Sequence, residues 1–92
     1  MSNHTNLPAF GKWEKIIDIH PYLNGCREFL VYGELTTGIN AGKGIGDIRI
    51  APISAQDYLK IDRIKKPESL EIWLDSTEVI HATHWMFLPP KP

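Results

Sequence analysis

The sequence predicts an α+β domain in which one helix covers a small, largely antiparallel sheet of four or five strands. Short runs rich in β-branched and aromatic residues recur along the chain between turn-forming residues. One stretch carries a helical apolar stripe. Large apolar residues also continue almost to the C-terminus, which indicates that this end of the chain is docked.

The first elements lie before residue 26. Residues 15–19 predict a short strand or an extended segment. Residues 20–25 predict a turn, because Pro21 fixes its own φ angle and the pair Asn24-Gly25 readily supplies a positive φ.

The best candidate for a central strand spans residues 28–35, which are rich in β-branched and aromatic side chains. Its alternation places Phe29, Val31 and Leu35 on one face and Leu30, Tyr32 and Glu34 on the other. Gly33 is expected to mark a bulge or a close approach of two backbones. Residues 36–46 contain four glycines and predict a mobile loop.

The next strand covers residues 47–51, where apolar and charged residues alternate. The alternation predicts that Ile48 and Ile50 face inward and that Asp47 and Arg49 face outward.

A helix is predicted after Ser54, which is a favourable N-cap residue and has Asp57 at the third helical position. The predicted helix ends at Pro67, because proline cannot continue the hydrogen-bond pattern. The apolar stripe of the helix consists of Tyr58, Ile61 and Ile64.

Two strands end the chain. Residues 70–74 and 79–88 have strand composition, and residues 75–78 predict the tight turn of an antiparallel hairpin. Trp85 is expected to be largely buried, since so many apolar residues lie close to the terminus.

Two segments carry a family resemblance. Trp13 leads the first, Asn24-Gly25 forms its turn and residues 29–32 form a strand; the second is the closing motif Thr-His-Trp-Met-Phe-Leu-Pro-Pro at residues 83–90. Together they resemble a short domain of unknown function that is common in phages and prophages of enteric bacteria. The resemblance implies a phage-type context and a small β-rich domain, and it carries no catalytic residues.

The resemblance covers about the first third and the last tenth of the chain. The sequence departs from the family pattern at Phe87, where the family has proline, and in the turn after Trp13, which lacks a Leu-Pro pair. The glycine loop and the predicted helix lie outside the resemblance.

Composition limits the function classes. The 92 residues are expected to form a single domain, residues 1–92, with a flexible N-terminal segment at residues 1–9. Ten basic and eleven acidic residues give a net charge of −1, which disfavours a general nucleic-acid-binding role. Neither a signal peptide nor a membrane span is recognisable, so we expect a cytoplasmic protein, in the host cytoplasm if a phage encodes it.

The histidines near the C-terminus do not predict a metal site. His81 and His84 lie three residues apart, and in a regular strand such residues point to opposite faces. We therefore expect no metal site and no cofactor.

Two further patterns bear on catalysis. Residues 42–47, Gly-Lys-Gly-Ile-Gly-Asp, lack the Ser or Thr that follows lysine in a phosphate-binding loop, and a strand rather than a helix follows them. Cys26 is the single cysteine, with His20 nearby in sequence. We predict no catalytic residues, although an enzyme that depends on Cys26, His20 or His84 remains an alternative.

The chain has more aromatic residues than one small core needs, and large aromatic residues are favoured in protein interfaces. We therefore expect a non-enzymatic binding protein whose partner is a host protein or complex. The most specific version of this hypothesis is that the protein inhibits a bacterial defence or regulatory complex. A homo-oligomeric structural protein is a further alternative. The predicted binding residues are Trp73, Tyr22, Lys43, Arg63 and Lys66.

Overall fold

The computed structural model describes residues 11–39 and 41–89. The segment 1–9, for which the sequence predicts flexibility, lies outside the described residues. Among the described residues, no helix is long and apolar enough to cross a membrane.

Five strands form one sheet in which every pairing is antiparallel, so the predicted α+β class is confirmed. The strands are β1 (Glu14–Lys15), β2 (Arg27–Leu35), β3 (Asp47–Ile53), β4 (Leu70–Trp73) and β5 (Val79–Met86). Their order is β1-β5-β2-β3, and β4 also pairs with β5. The predicted strands near residues 28–35, 70–74 and 79–88 are therefore present, and β5 ends two residues earlier than predicted.

A layer of short helices covers one face of the sheet. It consists of a 3₁₀ helix (Ile16–Tyr22) and a single turn of α-helix, α1 (Ala55–Tyr58). The strand predicted for residues 15–19 is wrong beyond Lys15. Ile16 and Ile19 are both fully buried, and a spacing of three residues places side chains on the same side of a 3₁₀ helix.

The helix predicted up to Pro67 is also wrong beyond its first turn. Ser54 and Asp57 do form the expected capping box. Farther along, Asp62 Oδ1 accepts hydrogen bonds from the backbone N–H groups of Ile64 and Lys65, at 3.0 and 3.3 Å. These bonds give the backbone an alternative to helix, and α1 ends at Tyr58.

The core lies between the sheet and the helical layer. Trp85 is fully buried, as predicted, and its ring contacts the rings of Tyr22, Phe29 and Phe87 at centroid distances of 5.1 to 5.3 Å. Rings at this separation stabilise a core beyond the burial of their area alone.

The prediction for β3 assigned the wrong faces. Phe29 and Val31 of β2 lie in the core, and their partners in β3 are Ala51 and Arg49. Ile48 and Ile50 therefore lie on the opposite face and remain 50% and 56% exposed. The alternation in β3 did not identify its buried face, because apolar residues occupy both faces of this strand. Pairing with the larger core side chains of β2 determined which face of β3 is buried.

Gly33 marks both a bulge and a close approach, as predicted. The register between β2 and β5 shifts between Tyr32 and Gly33, which leaves Thr83 as an extra residue in β5. A Cβ atom at Gly33 would collide with the backbone carbonyl oxygen of His81. Only glycine therefore lets β5 approach β2 at this position.

Candidate binding face

The sheet face opposite the helical layer carries a patch of apolar side chains, which we call the isoleucine patch. Its members are the cross-strand partners Leu30 with Ile50 and Tyr32 with Ile48. Side chains of such pairs are direct neighbours on a sheet. Tyr32 is 39% exposed and the two isoleucines are about half exposed, so the patch presents apolar surface to solvent.

The bulge at Thr83 also changes where the two histidines point. His81 is the partner of Glu34 and His84 is the partner of Tyr32, and these two β2 residues share a face. His81 and His84 therefore lie on the same face as the isoleucine patch. The expectation of opposite faces was wrong because it assumed a regular strand. The extra residue, Thr83, turns His84 to the same face as His81.

Beside the isoleucine patch lies a groove of about 800 Å³, which we call the lysine groove. The glycine loop forms one wall, and the segment around Lys65, Lys66 and Pro67 forms the other. Side chains of β2 and β5 form the floor, among them Tyr32, Glu34, His81 and Thr83. Tyr32 belongs to both the groove and the patch, so the two surfaces are continuous.

The glycine loop is tied to the floor of the groove by a carboxylate. Gly44 N–H donates a hydrogen bond to Glu34 Oε2 at 2.7 Å. Gly44 has a φ angle of +73° and Gly42 one of +74°, a conformation that favours glycine. Gly46 packs directly on the Tyr32 ring, where a Cβ atom would collide. The mobility predicted for residues 36–46 stays a prediction.

A second contact crosses the groove from the lysine side. Lys65 Nζ lies 3.5 Å from His81 Nδ1 and 3.9 Å from Asp62 Oδ2. An ammonium group can only donate, so Nδ1 accepts and the ring proton of a neutral His81 resides on Nε2. That nitrogen lies 3.5 Å from Glu71 Oε2. His81 therefore sits between a cation and an anion at the edge of the groove.

A smaller cavity of about 350 Å³ lies elsewhere on the surface. Cys26, which is exposed, and Trp73, which is 61% exposed, both line it. No histidine contributes to the described lining of this cavity. His20 instead packs against the Tyr58 ring at 4.8 Å. His84 lies on the opposite face of the sheet beside Tyr32, with ring centroids 6.1 Å apart, so it does not join these residues.

Of the five predicted binding residues, Lys66 alone is among the described lining of the lysine groove. Lys43 is exposed on the glycine loop, between two of the lining glycines in the sequence. Trp73 lies at the smaller cavity. The Arg63 guanidinium lies 5.1 Å from the centre of the Tyr58 ring. Tyr22 is half-buried in the aromatic cluster around Trp85.

Sequence reasoning missed Glu34, Lys65 and His81 as site residues. Tyr32 and Glu34 alternate correctly on β2, so their shared face was visible in the sequence. The contribution of His81 was hidden by the bulge, and that of Lys65 by the helix that does not form.

The described residues hold no group of three or more His, Cys, Asp or Glu side chains that could bind a metal ion. Comparison with protein-family models, with curated proteins and with solved structures finds no significant match. The resemblance of residues 83–90 to a phage domain therefore stays an expectation from sequence.

Proposed function

We propose that this protein is a small, non-enzymatic binding module that docks another protein on the sheet face carrying the isoleucine patch. The observation that carries the proposal is the half exposure of Ile48 and Ile50 on a regular part of the sheet. Exposed apolar surface next to polar residues is typical of protein interaction sites. The resemblance to a phage domain makes a host protein the expected partner and inhibition by occupying its surface the expected effect.

The backbone of the edge strand supports docking on the face rather than addition of a strand. Strand β3 lies at one edge of the sheet. Asp47 Oδ1 accepts a hydrogen bond from Ile48 N–H at 2.8 Å, and Arg49 Nη1 donates to Ile48 O at 3.1 Å. Pro52 has no N–H to offer. Such capping discourages pairing with another strand, whether from a partner or from a second copy.

The first experiment is a selection from a random peptide library on the immobilised full chain. Peptides retained by the wild type are then tested on Ile50→Glu and on the matched control Leu59→Glu. Leu59 is 76% exposed and follows α1 in the helical layer, away from the patch. The proposal predicts that Ile50→Glu loses the selected peptides while Leu59→Glu keeps them. Equal retention by both variants would reject docking on the patch.

A further inference from the structure

The described lining of the lysine groove carries more positive than negative charge, because it holds the ammonium groups of Lys65 and Lys66. Among the described residues, no carboxylate lies within ion-pair distance of the side-chain nitrogen of Lys66, or of Lys43 on the neighbouring glycine loop. The Lys65 nitrogen lies 3.5 Å from His81 Nδ1 and 3.9 Å from Asp62 Oδ2. Glu34 is the only acidic residue in the described lining, and its carboxylate is already engaged by the Gly44 N–H.

The same hydrogen bond shows what kind of group fits the groove. A backbone N–H of the glycine loop binds a carboxylate oxygen at 2.7 Å, which is the length of a charge-assisted hydrogen bond. Because Glu34 occupies the Gly44 N–H, the groups that remain to bind a partner's carboxylate are the ammonium groups of Lys65 and Lys66 on the opposite wall.

We propose that the lysine groove binds carboxylate side chains from an acidic segment of the docked protein, whose apolar side chains pack on the isoleucine patch. This inference rests on the docking proposed above, and it adds the chemical class of the partner segment. Tyr32 makes the two surfaces continuous, so one segment can occupy both.

The geometry of β2 sets the spacing within that segment. Glu34 in the groove and Leu30 in the patch are four residues apart on the strand, a separation of about 13 Å. Because Lys65 and Lys66 line the same groove as Glu34, an extended partner segment that runs along β2 places its carboxylate roughly four residues from its main apolar side chain.

The test uses the peptides selected by the wild-type chain. We expect them to be enriched in Asp or Glu at about four residues from a large apolar residue. Replacing those acids by their amides should weaken binding about fivefold, the effect of two solvent-exposed ion pairs. The variant Lys65→Gln/Lys66→Gln should weaken the acidic peptide to the same extent and leave the amide peptide unchanged.

Controls separate this inference from the docking proposal. Lys60→Gln removes a lysine that lines the smaller cavity, and it should keep the preference for the acidic peptide. Equal affinity for acid and amide peptides, with binding still lost in Ile50→Glu, would overturn the groove inference and leave docking intact. Binding that survives Ile50→Glu would overturn docking itself.

The last experiment adds inorganic phosphate, because a groove lined by ammonium groups could also bind a free anion. Phosphate should compete weakly and only with the acidic peptide. Saturable phosphate binding that depends on Lys65 and Lys66, combined with no preference for acidic peptides, would replace the acidic segment by a small anion and overturn the inference.

Discussion

The carboxylate of Glu34 and the backbone N–H of Gly44 lie 2.7 Å apart, and this hydrogen bond joins the central strand to the glycine loop. The residues are ten positions apart in the sequence. The bond joins one wall of the lysine groove to its floor, and the packing of Gly46 on the Tyr32 ring adds a second contact.

Replacing Glu34 by Gln should loosen the loop and favour acidic ligands. The amide can still accept a hydrogen bond, but it lacks the charge that makes the present bond strong. We expect faster hydrogen exchange at the Gly44 amide and tighter binding of acidic peptides, because a competing negative charge is gone. Glu28→Gln, an exposed charge-matched control on the same face of β2, should leave hydrogen exchange at Gly44 unchanged. Unaltered exchange at Gly44 in the Glu34 variant would contradict this role.

Trp85→Ala should destabilise the fold by about 3–5 kcal/mol, because it removes a fully buried ring from the aromatic cluster. Urea unfolding of the variant measures the loss. Trp73→Ala is the matched control, since Trp73 is 61% exposed, and it should change stability by less than about 0.5 kcal/mol. Similar losses of unfolding free energy in both variants would show that the difference in burial between Trp85 and Trp73 does not determine their contributions to stability.

The two crowded glycines should differ in their tolerance of a methyl group. At Gly33 the added carbon meets the backbone of β5, which cannot move without breaking the sheet. We expect Gly33→Ala to cost about 3 kcal/mol, at the upper end for overpacking. At Gly46 the obstacle is the Tyr32 ring, which can rotate away, so Gly46→Ala should cost less. Thermal melts measure the loss of stability in each variant. An equal loss in both would indicate that the Tyr32 ring cannot move aside.

The turn between β4 and β5 should contribute stability that depends on pH. Asp75 Oδ1 accepts hydrogen bonds from the N–H and hydroxyl of Thr77 and from the N–H of Glu78, at 2.7, 2.9 and 2.8 Å. The Thr77 N–H contributes most to holding the pKa of Asp75 below its ordinary value of 3.8, and the Thr77 hydroxyl and Glu78 N–H add to it.

A pKa that is lower in the folded state means that ionised Asp75 stabilises the fold. This stability is fully present above the unfolded value and is lost as the pH falls through the folded pKa. Asp75→Ala should therefore lower the melting temperature at neutral pH, and its difference from wild type should narrow below pH 3.8. Other carboxyl groups titrate in both proteins and cancel in the difference. A difference in melting temperature that stays constant down to acid pH would exclude stabilisation by the charge of Asp75.

Much of the fold could be predicted from sequence because local patterns agreed with the final pairing. The apolar alternation of β2, the Ser54 cap and the apolar end of the chain each pointed to the structure that forms. Long-range effects decided the rest. Pairing with β2 determined which side of β3 is buried, and a single extra residue at Thr83 reversed the expected orientation of His84 relative to His81.

The candidate site was harder to predict than the fold because its residues come from distant segments. Lys43 and Lys66 could be named as exposed cations, but the groove that Lys66 lines depends on the segment after α1 leaving the helical path. The hydrogen bonds of Asp62 that favour this path compete with helix over a few residues, and composition alone does not rank the two.

The most direct test of docking on the isoleucine patch is a map of backbone amide chemical shifts in the full chain during titration with a selected peptide. The account predicts that the largest changes fall on Leu30, Tyr32, Ile48 and Ile50, with further changes at Lys65 and His81 if the peptide is acidic. Changes centred instead on Cys26, Lys60 and Trp73 would place the binding site at the smaller cavity and contradict it.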